Sequence, residues 1–179
     1  MLETGKIVTA NHVVTGTSYV TVRQGSDPPF SATVLARDTV RDIALLTYQP
    51  AAVTLSSYAV PLALGTRDYN AVGGPLMALG YSGVGGVSAA GSVGSAAANV
   101  GVLAQFINRG SDIGVEIVMD VPVDPGDSGG PVLDAMGKVV GMSRAILDGS
   151  SGRQIGSSYA ISVDQIRDAL PSLRAGQSQ

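Results

Sequence analysis

The stretch Asp124-Pro125-Gly126-Asp127-Ser128-Gly129-Gly130-Pro131 sets a serine inside a turn made of glycine, proline and aspartate. Apolar, β-branched segments stand on both sides of it, Val115 to Val121 before and Val132-Leu133 after. Glycine reaches backbone conformations that a Cβ forbids, so such a turn can expose the serine hydroxyl and aim backbone N–H groups at one point. Acyl transfer needs that arrangement: serine attack creates an oxyanion about 3 Å from those donors, and each well-placed donor lowers the barrier by roughly 3 kcal/mol. The same residue types also build ordinary tight turns. The segment therefore acquires chemical meaning only through partners elsewhere in the chain.

Outward from this turn, short runs rich in β-branched or alternating residues recur with turn formers between them. They are Lys6 to Ala10, Tyr19 to Arg23, Ala32 to Arg37, Asp42 to Tyr48, Leu76 to Gly80, Val100 to Phe106, Val115 to Val121, Val132-Leu133, Lys138 to Ile146 and Ser158 to Ile161. In one of them Val115, Ile117, Met119 and Val121 share a face while Glu116 and Asp120 point the other way, which predicts a half-buried antiparallel strand. With 24 glycines and 9 prolines in 179 residues, the pattern predicts an all-β sandwich or barrel. One helix is signalled near the C-terminus, where Ser162 and Gln165 read as a capping box and Val163, Ile166 and Leu170 share a face; it is expected to pack on the second β unit. The polar tail from Arg174 to Gln179 is expected to fray.

Composition narrows the function. A net charge of −3 with scattered Lys and Arg argues against nucleic acid as a partner. No cysteine and a single histidine leave neither a disulfide framework nor a His or Cys zinc site, and only an all-oxygen metal site stays open; no metal and no cofactor are expected. The long uncharged tract from Tyr69 to Asn108 is broken by glycines and rich in Ser and Ala, which fits a join between two β units and not a membrane span. Met1 to Ala10 reads as the approach to a strand and lacks the features of a signal peptide.

Chain order separates the possible hydrolases. The segment around Ser128 satisfies G-x-S-x-G, but α/β-hydrolases place their histidine after the serine, and His12 lies far before it. A subtilisin order needs an aspartate ahead of the histidine, and the residues before His12 hold none. The order His, Asp, Ser remains. His12 follows the strand-like Ile7-Val8-Thr9-Ala10, and Asp42 opens the apolar run Ile43-Ala44-Leu45-Leu46, a placement that could bury it and fix the imidazole tautomer. Asp38 is the competing carboxylate, expected as a solvated turn residue.

Three ordered motifs, Thr9-Ala-Asn-His-Val-Val14, Asp42-Ile-Ala-Leu-Leu46 and Pro125-Gly-Asp-Ser-Gly-Gly-Pro-Val132, resemble the trypsin-like serine proteases, most closely the HtrA (Deg) group. Ala78-Leu-Gly-Tyr81, Gly137-Lys-Val-Val-Gly141 and Tyr159-Ala-Ile-Ser162 extend the likeness over nearly the whole chain. The resemblance implies two six-stranded antiparallel β-barrels with a short C-terminal helix: residues 1–84 carrying His12 and Asp42, residues 85–173 carrying Ser128 and the helix, and 174–179 as tail. It implies Ser128 as nucleophile, His12 as general base and acid, Asp42 as orienting carboxylate, and the N–H groups of Gly126 and Ser128 as the oxyanion hole. Arg144, Ala145 and Ile146 match the strand that pairs with bound substrate. Pro122 stands where relatives that cut after Lys or Arg have an aspartate, and Val123, Ala145 and Ala160 suggest an apolar pocket. Cleavage of unfolded or extended polypeptide after small or medium aliphatic residues is therefore expected.

Departures from the family pattern set further expectations. The strands that usually precede the histidine motif, including a Gly-Ser-Gly segment, are not in this sequence, so the first barrel is expected to be open, and a PDZ domain is not expected after the helix. Without the N-terminal segments through which relatives trimerise, a monomer is favoured; family resemblance alone suggests a periplasmic or extracytoplasmic location. Asp127 replaces the Asn common in HtrA proteins and is expected to be solvated or locally hydrogen-bonded. The alternative to a protease is an inactive, truncated peptide-binding protein of the same fold.

Overall fold

Ten strands and one α-helix are found in the computed structural model, which describes residues 3–25, 27–53, 60–81, 96–144 and 157–179. β1 (Lys6–Ala10), β2 (Tyr19–Val22), β3 (Phe30–Asp38) and β4 (Ile43–Thr47) form an antiparallel sheet in the order β1-β4-β3-β2. β5 (Pro75–Gly80), β6 (Ala97–Asn108), β7 (Val115–Met119), β8 (Pro131–Leu133), β9 (Val139–Arg144) and β10 (Ser158–Ser162) close into a barrel in the order β10-β7-β6-β5-β8-β9. The helix α1 (Val163–Arg174) follows β10 directly.

The two units share a strand order. Around the barrel β7, β10, β9 and β8 are neighbours in sequence-order pattern identical to β1, β4, β3 and β2 in the open sheet. The hairpin β5-β6 closes the barrel between β8 and β7, and the described residues hold no counterpart to it between β2 and β1. The expected architecture, with one closed and one incomplete barrel, is observed. One assignment differs: the Ala78 to Tyr81 motif, expected near the end of the first unit, begins on β5, whose Met77 and Ala78 pair with Leu133 and Val132 of β8. Leu76 and Ala78 are buried in the barrel core beside Leu103, Ile117, Met119 and Val132, and this pairing and burial make the segment part of the second unit. Val84 lies outside the described residues.

Three apolar clusters hold the molecule together. One fills the barrel. A second underlies the open sheet with Val14, Ala32, Ala44, Leu46 and Tyr48. The third joins the units: Ala10, Ala36, Ile43 and Leu45 from the sheet meet Met142 and Ile161 from the barrel and Ile166, Ala169, Leu170 and Leu173 from α1. The helix therefore packs on both units, not on the second alone, because its apolar stripe spans the seam between them.

Three local expectations are corrected. The capping box does not form: Ser162 caps α1 by position but without a side-chain bond, and Ser162 Oγ and Gln165 Nε2 are both buried without a hydrogen-bond partner, since the short β10-α1 junction draws both side chains inward. The tail does not fray. Gln179 N–H donates to the Arg37 carbonyl (2.8 Å), Thr39 N–H donates to the Gln179 carbonyl (2.9 Å) and Arg37 N–H donates to Ser178 Oγ (3.2 Å), so the chain end satisfies the backbone of β3. β7 is not half-exposed: Glu116 and Val118, on the face opposite Ile117 and Met119, are also buried, and Glu116 is covered by Arg109 and Arg144.

Candidate active site

His12 lies in a one-turn 3₁₀ segment, Asn11–Val14, that begins where β1 ends. Asp42 immediately precedes β4, the partner of β1, and Asn11 N–H donates to its carbonyl at 3.0 Å. The antiparallel register that pairs Ala10 with Ile43 thus places the two side chains together across 30 residues of sequence. Asp42 has a φ of +61°, a left-handed conformation that aspartate tolerates better than most residues. In that conformation its carboxylate turns back onto the 3₁₀ segment: Oδ1 accepts the backbone N–H of His12 at 2.8 Å and Oδ2 lies 2.7 Å from His12 Nδ1. An ionised carboxylate only accepts, so the bond assigns the proton of the neutral ring to Nδ1 and leaves Nε2 as the basic nitrogen. Asp42 is 6% exposed, whereas the His12 side chain is 45% exposed.

The competing carboxylate is elsewhere. Asp38, expected in solvent, is 1% exposed at the end of β3. Its Oδ1 accepts Arg41 N–H and its Oδ2 pairs with the Arg41 guanidinium, both within 2.8 Å. The turn closes over this pair, which excludes water and occupies the carboxylate fully.

The Ser128 turn is wedged between the two units by its glycines. A Cβ on Gly129 would stand 2.4 Å from Thr9 Oγ1 and 3.1 Å from the backbone N of Ala10, so the residue after Ser128 abuts the end of β1, just before the His12 segment. A Cβ on Gly130 would meet the Leu79 carbonyl at 2.1 Å, and one on Gly80 would meet Asp127 Oδ1. Gly126 and Gly129 have φ of +109° and +87°, values that glycine alone adopts readily. Gly130→Ala is expected to cost about 2–3 kcal/mol by overpacking, seen as a loss of roughly 5–10 °C in Tm for a domain of this size. An unchanged melting curve would show that the turn is not seated against β5.

Backbone bonds hold the turn. Asp127 N–H donates to the Asp124 carbonyl, Gly130 N–H to that of Asp127, and Gly129 N–H to that of Ser143 on β9. Ser143 is fully buried, its N–H donates to the Gly130 carbonyl, and its hydroxyl lies within bonding distance of the Asp127 and Gly130 carbonyls. Sequence reading passed over Ser143; a serine on an otherwise apolar buried strand was the available signal, since a buried hydroxyl must find a partner. Of the two placements expected for Asp127, the local hydrogen bond is found: the residue is buried, Oδ2 accepts Asp124 N–H at 3.0 Å, and Oδ1 is buried without a hydrogen-bond partner among the described residues.

Ser128, Gly126 and Gly129 face an apolar groove that runs along the open side of the sheet, lined by Ile7, Val20, Val22, Leu46 and Tyr81. Arg144 ends β9, with its guanidinium turned toward Asp42. Ala145 and Ile146 lie outside the described residues. Val123 and Ala160 belong to the barrel core, while Pro122 is exposed and its carbonyl accepts from Asn99. No helix among the described residues is long and apolar enough to cross a membrane.

Comparison with known proteins bears on the family and the fold. The profile described as trypsin-like peptidase domain matches residues 2–142. The putative serine protease HhoA of Synechocystis sp. is 34% identical over 178 residues, covering 96% of this chain and 41% of that protein. The periplasmic serine endoprotease DegP of Salmonella typhimurium is 30% identical over 165 residues, covering 92% of this chain and 32% of DegP. The chain thus spans less than half the length of these relatives. Among solved structures, the HtrA-type protease AlgW with a decapeptide superposes with a TM-score of 0.75 at 23% identity, covering 99% of this chain and 51% of the other. A serine endoprotease from Yersinia pestis gives 0.73 at 18% identity, with 99% and 57% covered. These likenesses establish the fold.

Proposed function

As the chain belongs to the trypsin-like peptidase family, we propose that it is a serine endopeptidase in which Ser128 attacks, His12 transfers protons and Asp42 orients the imidazole. The observation that carries this reading is the double hold of Asp42 on His12, through the backbone N–H and through Nδ1. With Nδ1–H held by Asp42, Nε2 takes the Ser128 proton as Oγ attacks the scissile carbonyl, and Asp42 stabilises the imidazolium that results. The N–H groups of Gly126 and Ser128 receive the oxyanion. His12 then protonates the departing amine, and water, deprotonated by the same Nε2, hydrolyses the acyl-enzyme.

The substrate is an unfolded or extended polypeptide that adds as a strand beside the Arg144 end of β9. Cleavage follows small or medium aliphatic residues, with Pro122, Val123 and Ala160 around the side chain before the scissile bond. Relatives named periplasmic endoproteases support an extracytoplasmic site of action.

Labelling by a fluorophosphonate probe, read by intact mass with Ser128→Ala as control, tests the nucleophile, because the probe needs an activated serine and a formed oxyanion hole. One equivalent on the parent chain and none on the variant is the expected result. A peptide-library profile dominated by Arg or Lys would sink the proposed specificity. The open β1-β4-β3-β2 sheet favours one other reading, a peptide-binding protein of the same fold without turnover; a folded sample that binds extended peptide but takes no label would establish it.

A further inference from the structure

We propose that Arg144 is a positioning residue for Asp42 and, together with the buried Glu116, balances the charge that His12 experiences. The inference rests on the reading of His12 and Asp42 as base and orienting carboxylate. Arg144 Nε lies 3.4 Å from Asp42 Oδ2, the oxygen that also receives His12 Nδ1. Its Nη1 lies 3.0 Å from Glu116 Oε1, and Glu116 Oε2 lies 2.7 Å from Arg109 Nε. The guanidinium of Arg109 in turn stands over the Tyr159 ring at 5.9 Å. Charges alternate along this path from the cleft into the barrel wall: imidazole, Asp42, Arg144, Glu116, Arg109.

The arrangement has a reason in elementary electrostatics. A carboxylate beside an imidazole stabilises positive charge on the ring, and a cation on the far side of that carboxylate opposes it. Arg144 is one third exposed and would swing into solvent without a second anchor. Glu116, on β7 and 5% exposed at its side chain, supplies that anchor and half-compensates the cation, one ion pair further from the ring. A buried carboxylate is costly unless paired, and Glu116 is paired on both oxygens.

The other charged groups near His12 have partners of their own, except for one oxygen of Asp127, whose buried Oδ1 has none among the described residues. Arg37 on β3 is bound to Asn11 Oδ1 and the Thr17 carbonyl. Asp38 and Arg41 neutralise each other in the β3-β4 turn. Asp127, in the Ser128 turn, presents Oδ2 to Asp124 N–H. Arg144 is the cation in contact with Asp42, and its effect on His12 can be separated from theirs by substitution.

His12 is the single histidine of the chain, so its ring resonances titrate in NMR without ambiguity and without any need for activity. Arg144→Gln is expected to raise the midpoint by about 0.5–1 pH unit, the size of one partly screened unit charge at that separation. Glu116→Gln leaves Arg144 uncompensated and is expected to lower it by roughly half a unit. Arg144→Lys, which keeps the charge, should stay near the parent. Opposite displacements from two neighbouring substitutions are not produced by a merely structural role. An unmoved midpoint in Arg144→Gln, or both variants moving the same way, would overturn the proposal.

The acid limb of kcat/KM for peptide hydrolysis should follow the same displacements. Midpoints that move as expected in a chain that hydrolyses nothing would sink the catalytic reading and leave the charge balance standing. Hydrolysis with unmoved midpoints would do the reverse.

Discussion

Ser128→Ala is expected to lower kcat on an unfolded polypeptide by about 10⁶, leaving only what binding and the oxyanion donors contribute. Ser128 lines the groove in a turn whose shape is set by Gly126, Gly129, Gly130 and the Ser143 bonds. The variant should therefore melt with the parent. Release of fluorescence from a quenched, denatured protein substrate measures the rate, and loss of the mass increment from a fluorophosphonate measures the nucleophile. A variant that retains a tenth of the parent rate would remove Ser128 from the mechanism and with it the protease reading.

Asp42→Asn should cost about 10⁴ in kcat near neutral pH with the geometry intact. Asparagine tolerates the +61° φ of this position as aspartate does, and its carbonyl oxygen can still accept His12 N–H. Its amide, however, donates to Nδ1, which moves the ring proton to Nε2 and leaves no base facing Ser128. The matched control is Asp38→Asn. Its carboxylate is consumed by Arg41 inside the turn, so that change should lower Tm by an amount typical of a broken buried pair while sparing kcat per folded molecule. If the rate fell in Asp38→Asn and not in Asp42→Asn, the two carboxylates would exchange roles.

Much of the site was legible in the residues because its chemistry is local. The glycines around Ser128 announce a turn that only glycine can make, and the structure shows what each avoids: Thr9 and Ala10 at Gly129, the Leu79 carbonyl at Gly130. His12 and Asp42 each sit at a strand end, where an apolar run stops and a polar residue can be held. What the residues did not disclose was where charged side chains went. Glu116 alternates with Ile117 as a solvent-facing residue should, yet two arginines from β9 and the β6-β7 turn cover it. Asp38 has the composition of a surface turn and is buried by its neighbour three residues on. The tail reads as disordered, and its backbone is taken up by β3.

The sequence by itself determined the all-β class, the strand positions to within a few residues, the order His, Asp, Ser, and the glycine turn, because periodicity, turn chemistry and the order of side chains along the chain are one-dimensional properties. Tertiary structure alone decided that β5 joins the closed barrel, that α1 spans both units, that Ser143 supports the Ser128 turn, and that Arg144 reaches Asp42. Those outcomes depend on which backbone edges pair and on which side chains meet across separations from 16 residues, for Ser143 and Asp127, to 102, for Arg144 and Asp42, and burial and ion pairing are energies of juxtaposition that no local pattern encodes.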